Sequence, residues 1–211
     1  MAERVSHPIF ARVYERVAAR SERRGGAEHR RLLLEGAAGR VIELGAGSGA
    51  NFAHYPVTVS EVLAVEPERH LREVARRAAV GAPVPVSVRE GTAGSLPAED
   101  ASFDVGVVSL VLCTVPDPAR ALAELLRVIR PGGELRFYEH VRARSERVAR
   151  VQRLADATFW PRIAGGCKLA RDTLAEIELA GFAVERCERF PYSVATGVPP
   201  APHILGSARR P

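Results

Sequence analysis

The chain has 211 residues, of which 46% are hydrophobic, and a formal net charge of +5. This length suits one domain with its own core, and the composition excludes collagen, a disulfide scaffold and gross disorder. The longest apolar stretch, residues 105–115, falls short of the roughly 20 residues that a membrane-spanning helix needs. The N-terminal segment is polar and lacks the apolar core of a signal peptide, so we predict a cytoplasmic protein.

The positive charge comes almost entirely from arginine, since Lys168 is the only lysine among 30 basic residues. Arginine concentrates in residues 1–40 and 136–153, where helical patterns make a run of charges typical of a solvated helix face. We therefore expect no nucleic acid partner. The three cysteines, at positions 113, 167 and 187, are too few and too dispersed for a disulfide framework or a zinc site, and we predict no metal.

Helix and strand patterns alternate along the chain, which predicts an α/β sheet. An amphipathic helix is expected around Phe10, Val13, Tyr14 and Val17, which share one helical face. The later predicted helices cover residues 27–35, 68–79, 118–129, 145–159 and 171–180. The predicted strands cover residues 40–44, 62–65, 84–89, 103–109, 134–138, 182–190 and 204–208, and residues 161–166 form a break.

A glycine cluster follows the first predicted strand and suggests a ligand cradle. Gly45, Gly47 and Gly49 let the backbone turn tightly and let a ligand approach its N–H groups. Glu43 precedes them by two residues, where a carboxylate repels a pyrophosphate but attracts an ammonium or sulfonium. Glu66 ends the next strand, where a carboxylate can bind both hydroxyls of a ribose. A ribose with a cationic group and no pyrophosphate describes S-adenosylmethionine (SAM), although two solvated carboxylates are the structural alternative.

Four segments resemble, in order and spacing, the motifs of class I SAM-dependent methyltransferases. They are VIELGAGSGANF (41–52), LAVEP (63–67), GTAGSLP with SFDV (91–105) and LLRVIRPGG (125–133). The resemblance implies a Rossmann-like seven-stranded sheet with helices on both faces and strand seven antiparallel. It also implies one domain over residues 1–211. Its parts would be N-terminal helices (1–39), a cofactor-binding core (40–141), a cap insertion (142–170) and a C-terminal helix with strands (171–211).

The same resemblance implies which residues bind SAM. Glu66 is expected to hold the ribose and Pro67 to lie beside the adenine. Thr92 stands where the family usually carries Asp, which shifts the expected adenine contact toward Ala93. The full expected set is Tyr14, Glu43, Gly45, Ala46, Gly47, Gly49, Asn51, Glu66, Pro67, Thr92, Ala93, Ser109 and Leu110.

Further segments resemble the methyltransferase-like thiol S-methyltransferases, which act on small alkyl thiols and hydrogen sulfide. These segments are NF (51–52), LVLC (110–113), YEHV (138–141), GCKLAR (166–171) and PHILGSA (202–208). The implied acceptor is a small lipophilic thiol. Animal members begin with a hydrophobic membrane-associating segment that the polar residues 1–20 do not match, so we predict no stable membrane anchor.

Thiol chemistry also fits the few candidate bases, because a thiol of pKa about 8.5 is already partly ionised near pH 7. His140 and His203 are the candidate catalytic residues, as a base or as orienting groups, and Cys113, Trp160 and Cys167 are candidate substrate contacts. Ordinary structural roles stay open for all five, and Glu139 is expected to pair with an arginine. Methylation of N, O or C in a specialised metabolite or lipid, and cofactor binding without turnover, also stay open.

Overall fold

The structure, a computed structural model, describes residues 22–193 and 199–211. Within them the strands are β1 (Gly39–Leu44), β2 (Val59–Val65), β3 (Val86–Arg89), β4 (Phe103–Ser109), β5 (Ile129–His140), β6 (Ala183–Tyr192) and β7 (Ala201–Arg209). The helices are α1 (Ala27–Leu34), α2 (Arg69–Ala79), α3 (Pro118–Val128), α4 (Glu146–Ala157), α5 (Trp160–Ile163) and α6 (Thr173–Leu179). The helix expected around Tyr14 lies outside the described residues.

All of these strands join one sheet in the order β3-β2-β1-β4-β5-β7-β6. The pairs from β3 through β5 are parallel, whereas β7 is antiparallel to both β5 and β6. The expected seven-stranded sheet with strand seven antiparallel is therefore confirmed. Because β1, β2, β4 and β5 are parallel, their carboxyl ends meet at one edge, where ligands bind in open α/β sheets.

Both faces of the sheet are buried, which explains why the central strands are continuous apolar runs rather than alternating ones. Ile42 and Leu44 pack on the face covered by α3 and α6, while Val41 packs on the other face with Leu33 and Leu34 of α1. This arrangement places α1 against β5 and β7, and the Arg30 side chain reaches Ser109 at the end of β4.

Local capping sets where two of the helices begin. Asp117 precedes α3 and its side chain accepts the Arg120 N–H at 3.0 Å, with Pro118 at the first helical position. Glu68 precedes α2 and accepts the Leu71 N–H at 2.7 Å. Both carboxylates satisfy an N–H that a helix start otherwise leaves unpaired. The second cap fixes the turn that follows Glu66.

The structure corrects two boundaries that bear on the site. The fifth strand, expected over residues 134–138, begins at Ile129, has an irregularity in its pairing with β4, and runs on to His140. His140 is thus the last residue of a strand rather than part of a loop. The expected break at residues 161–166 contains a single helical turn, α5, before Gly165 and Gly166 adopt positive φ. No helix among the described residues is long and apolar enough to cross a membrane.

Candidate functional site

The glycine loop turns tightly over the ends of β2 and β4. The N–H groups of Gly45 and Ala46 both donate to the Val65 carbonyl, at 2.8 and 3.2 Å. Gly45 has φ +67°, and a Cβ there would stand 2.5 Å from a methyl of Val111. Gly47 and Gly49 also have positive φ. Glycine is therefore required for the backbone conformation and, at Gly45, for close contact with the loop after β4.

Glu66 lies just beyond β2 and is 5% exposed. One carboxylate oxygen accepts the Gly47 N–H at 2.8 Å and the other accepts the Glu68 N–H at 2.9 Å. Burial raises its pKa against these two hydrogen bonds. Each oxygen keeps a further lone pair, so the carboxylate can still accept two ribose hydroxyls.

Glu43, which is 2% exposed, is held from two sides. Its oxygens accept hydrogen bonds from the Asn51 amide at 2.8 Å and the Tyr55 hydroxyl at 2.7 Å. Burial raises its pKa to about 7 in spite of both donors. Asn51 therefore joins Glu43 to the segment that follows the glycine loop.

Arg30 of α1 joins two of the expected cofactor residues, Asn51 and Ser109, and the sequence prediction missed it. Nη1 donates to Asn51 Oδ1 at 2.8 Å and to Ser109 Oγ at 2.9 Å, and Nε donates to Glu22 at 2.7 Å. The charge pattern predicted a solvated arginine, but this one is 6% exposed. Helical spacing could have revealed that Arg30 is buried, since it lies one turn before the buried Leu33 and Leu34.

The expected adenine contacts lie together above the end of β2. Residues 92–95 form a turn in which the Ser95 N–H donates to the Thr92 carbonyl at 3.1 Å. A Cβ at Gly91, which precedes this turn, would stand 2.7 Å from a methyl of Val65. Thr92 and Ala93 are thereby brought to the strand end that Glu66 and Pro67 follow.

The charges at this edge suit the expected cofactor. Two buried carboxylates, Glu43 and Glu66, have pKa values raised mainly by burial, and a cationic ligand would relieve that cost. The buried guanidinium of Arg30 offers charge for a ligand carboxylate. A molecule with a ribose, an ammonium, a sulfonium and a carboxylate fits this set, which is the chemistry of SAM.

A second polar group fixes the loop after β4. Leu110 has φ +59° and its N–H donates to the Tyr138 carbonyl at 2.7 Å. The completely buried Glu139 accepts the N–H groups of Val111, Leu112 and Cys113 at 2.9 to 3.1 Å. The expected arginine partner for Glu139 was wrong: three backbone donors satisfy it instead. This carboxylate positions the loop that carries Cys113.

The two candidate catalytic histidines lie side by side on neighbouring strands of the sheet. His140 and His203 are paired residues of β5 and β7, with ring centroids 5.3 Å apart. His203 Nδ1 lies 2.9 Å from the Ala201 carbonyl, which only accepts, so Nδ1 carries the proton. Burial lowers the pKa of His203 to about 4, which leaves Nε2 unprotonated. His140 is 6% exposed, and neither of its ring nitrogens has a hydrogen-bond partner of regular geometry among residues 22–193 and 199–211.

The cap brings the remaining candidates to His140. The Lys168 N–H donates to the Cys113 carbonyl at 2.8 Å, which places Cys167 against Cys113. The neighbouring Cys113 thiol lowers the pKa of Cys167, and His140 and Trp160 lower it further. The Trp160 Nε1 is buried without a hydrogen-bond partner of regular geometry. The expected catalytic and substrate residues thus form one cluster of side chains, which we term the chamber.

Aromatic rings form a wall of this chamber that the sequence prediction did not include. Tyr138 lies two residues before His140, on the same face of β5, and its buried hydroxyl has no hydrogen-bond partner among the described residues. The His29 ring lies 5.3 Å from Tyr138 and 4.5 Å from Phe190 between ring centroids. The alternation of side chains along β5 could have identified Tyr138, because this residue shares a face with His140. His29 and Phe190 could not be found in this way, since only long-range packing brings them to Tyr138.

Comparison with known proteins identifies the family. Residues 42–137 match the model of a methyltransferase domain. The chain is 36% identical over 183 residues to thiol S-methyltransferase TMT1B of Homo sapiens, covering 83% of this chain and 73% of that protein. It is 35% identical to TMT1B of Mus musculus, covering 91% and 82%.

Solved structures share the fold. An SAM-dependent methyltransferase of Thermotoga maritima superposes with a TM-score of 0.70 at 22% identity, covering 96% of this chain and 97% of that one. The motifs, the sheet order and the relatives agree. The chain is an SAM-dependent methyltransferase and belongs to the family that includes thiol S-methyltransferase TMT1B.

Proposed function

We propose that this enzyme transfers the methyl group of SAM to the sulfur of a small lipophilic thiol. One observation carries the proposal: the buried His140, which has no hydrogen-bond partner of regular geometry among the described residues, lies beside Cys167 and helps to lower the pKa of its thiol. Surroundings that stabilise the thiolate of Cys167 also favour ionisation of a thiol that enters from outside. A thiolate is the nucleophile that methyl transfer to sulfur needs.

The cofactor half of the site would hold SAM through the residues expected from the motifs, together with Arg30. Glu66 binds the ribose hydroxyls, and Arg30 with Asn51 and Ser109 binds the methionine portion. When bound, SAM supplies an electrophilic methyl group on a sulfonium. The buried Glu43 lies behind Asn51 and favours the cationic end of the cofactor electrostatically.

The acceptor half would bind and ionise the thiol. His140 accepts the thiol proton at a ring nitrogen, and His203, with its tautomer fixed by the Ala201 carbonyl, orients the His140 ring. Trp160 and the rings of Tyr138 and Phe190 provide the apolar surface for a lipophilic acceptor and exclude water. In this half the protein mainly aligns the sulfur for in-line displacement.

The relatives support this acceptor, since their printed names describe thiol S-methyltransferases. Cytoplasmic localisation and the absence of a nucleic acid partner stay predictions.

The test is an acceptor panel. The purified enzyme is incubated with methyl-labelled SAM and an alkyl thiol, alcohol, amine and carboxylic acid of one carbon skeleton, and products are identified by mass spectrometry. We expect a thioether and no other methylated product, with the Glu66→Ala enzyme as a cofactor-binding control. Methylation of the amine, the alcohol or the acid in place of the thiol would contradict the proposed acceptor. SAM binding without any product would indicate a protein that has lost turnover.

A further inference from the structure

Two cysteines that are distant in sequence are held together inside the acceptor chamber. The segment that carries Cys167 is tied to the loop that carries Cys113, because the Lys168 N–H donates to the Cys113 carbonyl at 2.8 Å. Arg171 strengthens the tie, with Nη1 donating to the carbonyls of Leu112 and Val115. The two thiols lie close enough for each to shift the pKa of the other. The proposed methyl transfer uses neither thiol as a nucleophile.

The two thiols have different surroundings. Cys113 is 2% exposed, whereas Cys167 is partly exposed. The interaction between them raises the pKa of Cys113 and lowers that of Cys167, with His140 and Trp160 acting in the same direction on Cys167. An accessible thiolate beside a buried thiol is the arrangement of an attacking and a resolving cysteine.

We propose that Cys167 and Cys113 form a thiol–disulfide exchange site that takes a low-molecular-weight disulfide. The Cys167 thiolate attacks one sulfur of the disulfide, the S–S bond breaks, and one thiolate leaves while a mixed disulfide forms on Cys167. Cys113 then loses its proton to the departed thiolate and attacks the Cys167 sulfur, which expels the second thiolate. The two cysteines lose two electrons in forming their bond, and the external disulfide is reduced to two thiols.

The exchange would also affect methyl transfer. A disulfide between Cys113 and Cys167 would hold the cap segment against the loop after β4. It would also leave neither thiol free beside His140. We expect the oxidised enzyme to transfer methyl groups at least about tenfold more slowly, with full recovery after dithiothreitol.

The test follows protein mass without SAM. The reduced full-length chain is incubated with 2-hydroxyethyl disulfide, trapped with N-ethylmaleimide and analysed as intact protein and as peptides. We expect the loss of two hydrogens and a linked pair of peptides containing Cys113 and Cys167. Cys113→Ser should stop at a mixed disulfide on Cys167, and Cys167→Ser should leave Cys113 unreacted. Cys187, exposed on β6, should react about tenfold or more slowly than Cys167, and Cys187→Ser is the matched control that retains the linkage.

Two results would overturn the exchange site. One is that Cys113 and Cys167 both stay free to alkylation while Cys187 forms the adduct. The other is that Cys167 in the unaltered chain stops at the mixed disulfide. Neither result depends on the acceptor for methyl transfer, so failure of this inference and failure of thiol methylation are distinguished by separate measurements.

Discussion

The two halves of the site differ in how their buried polar groups are satisfied. At the ends of β1 and β2, Glu43 and Glu66 each accept two hydrogen bonds, from donors supplied by the protein. At the end of β5, the ring nitrogens of His140 and the hydroxyl of Tyr138 are buried without regular hydrogen-bond partners in the part of the chain that the structure describes. Buried polar groups are normally paired, so unpaired ones indicate a place where a ligand supplies the missing contact.

We relate this difference to two tasks, which are cofactor binding and acceptor binding. The cofactor half is preorganised by its own hydrogen bonds, which suits a ligand that is the same in every turnover. The acceptor half keeps unused donors and acceptors next to apolar rings, which suits a small molecule with one polar atom. The account therefore rests on a division of labour, in which changes in one half affect SAM affinity and changes in the other affect turnover.

The largest effect should follow from removing the proposed base. His140→Ala should lower kcat for an alkyl thiol about 100-fold, since a positioned base contributes at least about that factor. The dissociation constant of SAM should change less than about twofold. Steady-state kinetics and calorimetry measure both, and His70→Ala on α2 is the control. An unchanged kcat would return His140 to a structural role.

In the cofactor half we expect the opposite result, with weaker SAM binding as the main effect. Glu66→Ala removes the proposed ribose contact and should weaken SAM binding by about 1.5–3 kcal/mol, as for hydrogen bonds to a charged group. Titration calorimetry checks the affinity, and Glu61→Ala, an exposed carboxylate on the same strand, is the control. Unchanged SAM affinity would contradict the assignment of Glu66.

Two tyrosines provide a matched test of the satisfied and unsatisfied halves. Tyr55→Phe removes a hydroxyl that donates to Glu43 and should lower the free energy of unfolding by about 1.5 kcal/mol. Tyr138→Phe removes a buried hydroxyl that has no partner and should raise it by about 0.5–1 kcal/mol. Urea unfolding of the SAM-free protein measures both changes. Equal destabilisation by the two substitutions would show that the halves do not differ in this respect.

The smallest effect is a pH dependence of stability. Burial raises the pKa of Glu43 to about 7, so its contribution is fully present below the unfolded pKa of about 4.5 and is lost as pH rises through 7. Between pH 6.5 and 8 the SAM-free protein should lose about 1 kcal/mol from this group. Glu43→Gln should reduce that loss, and Glu61→Gln should not. A steeper loss in the Glu43→Gln protein would contradict the raised pKa.

Local sequence patterns were enough to predict the residues at the ends of β1 and β2. Glu43, the glycines and Glu66 lie within two adjacent strand–turn segments, so local spacing determines their placement. The sequence prediction missed Arg30 because its role depends on how α1 packs in the folded protein. No local sequence pattern shows that packing. Glu139 was assigned the wrong partner because three backbone donors of a distant loop converge on it only in the folded chain.

The division of labour is tested most directly by a double-mutant cycle of Glu66→Ala and His140→Ala on kcat/KM for an alkyl thiol. Glu66 follows β2, and His140 is the last residue of β5. These two strand ends are three strand spacings, or about 14 Å, apart across the sheet. Residues that distant, with no shared partner, act additively within about 0.5 kcal/mol. The account predicts that the double variant loses the sum of the two single losses. A coupling free energy above about 1 kcal/mol would contradict it, because the two halves would then act as one unit.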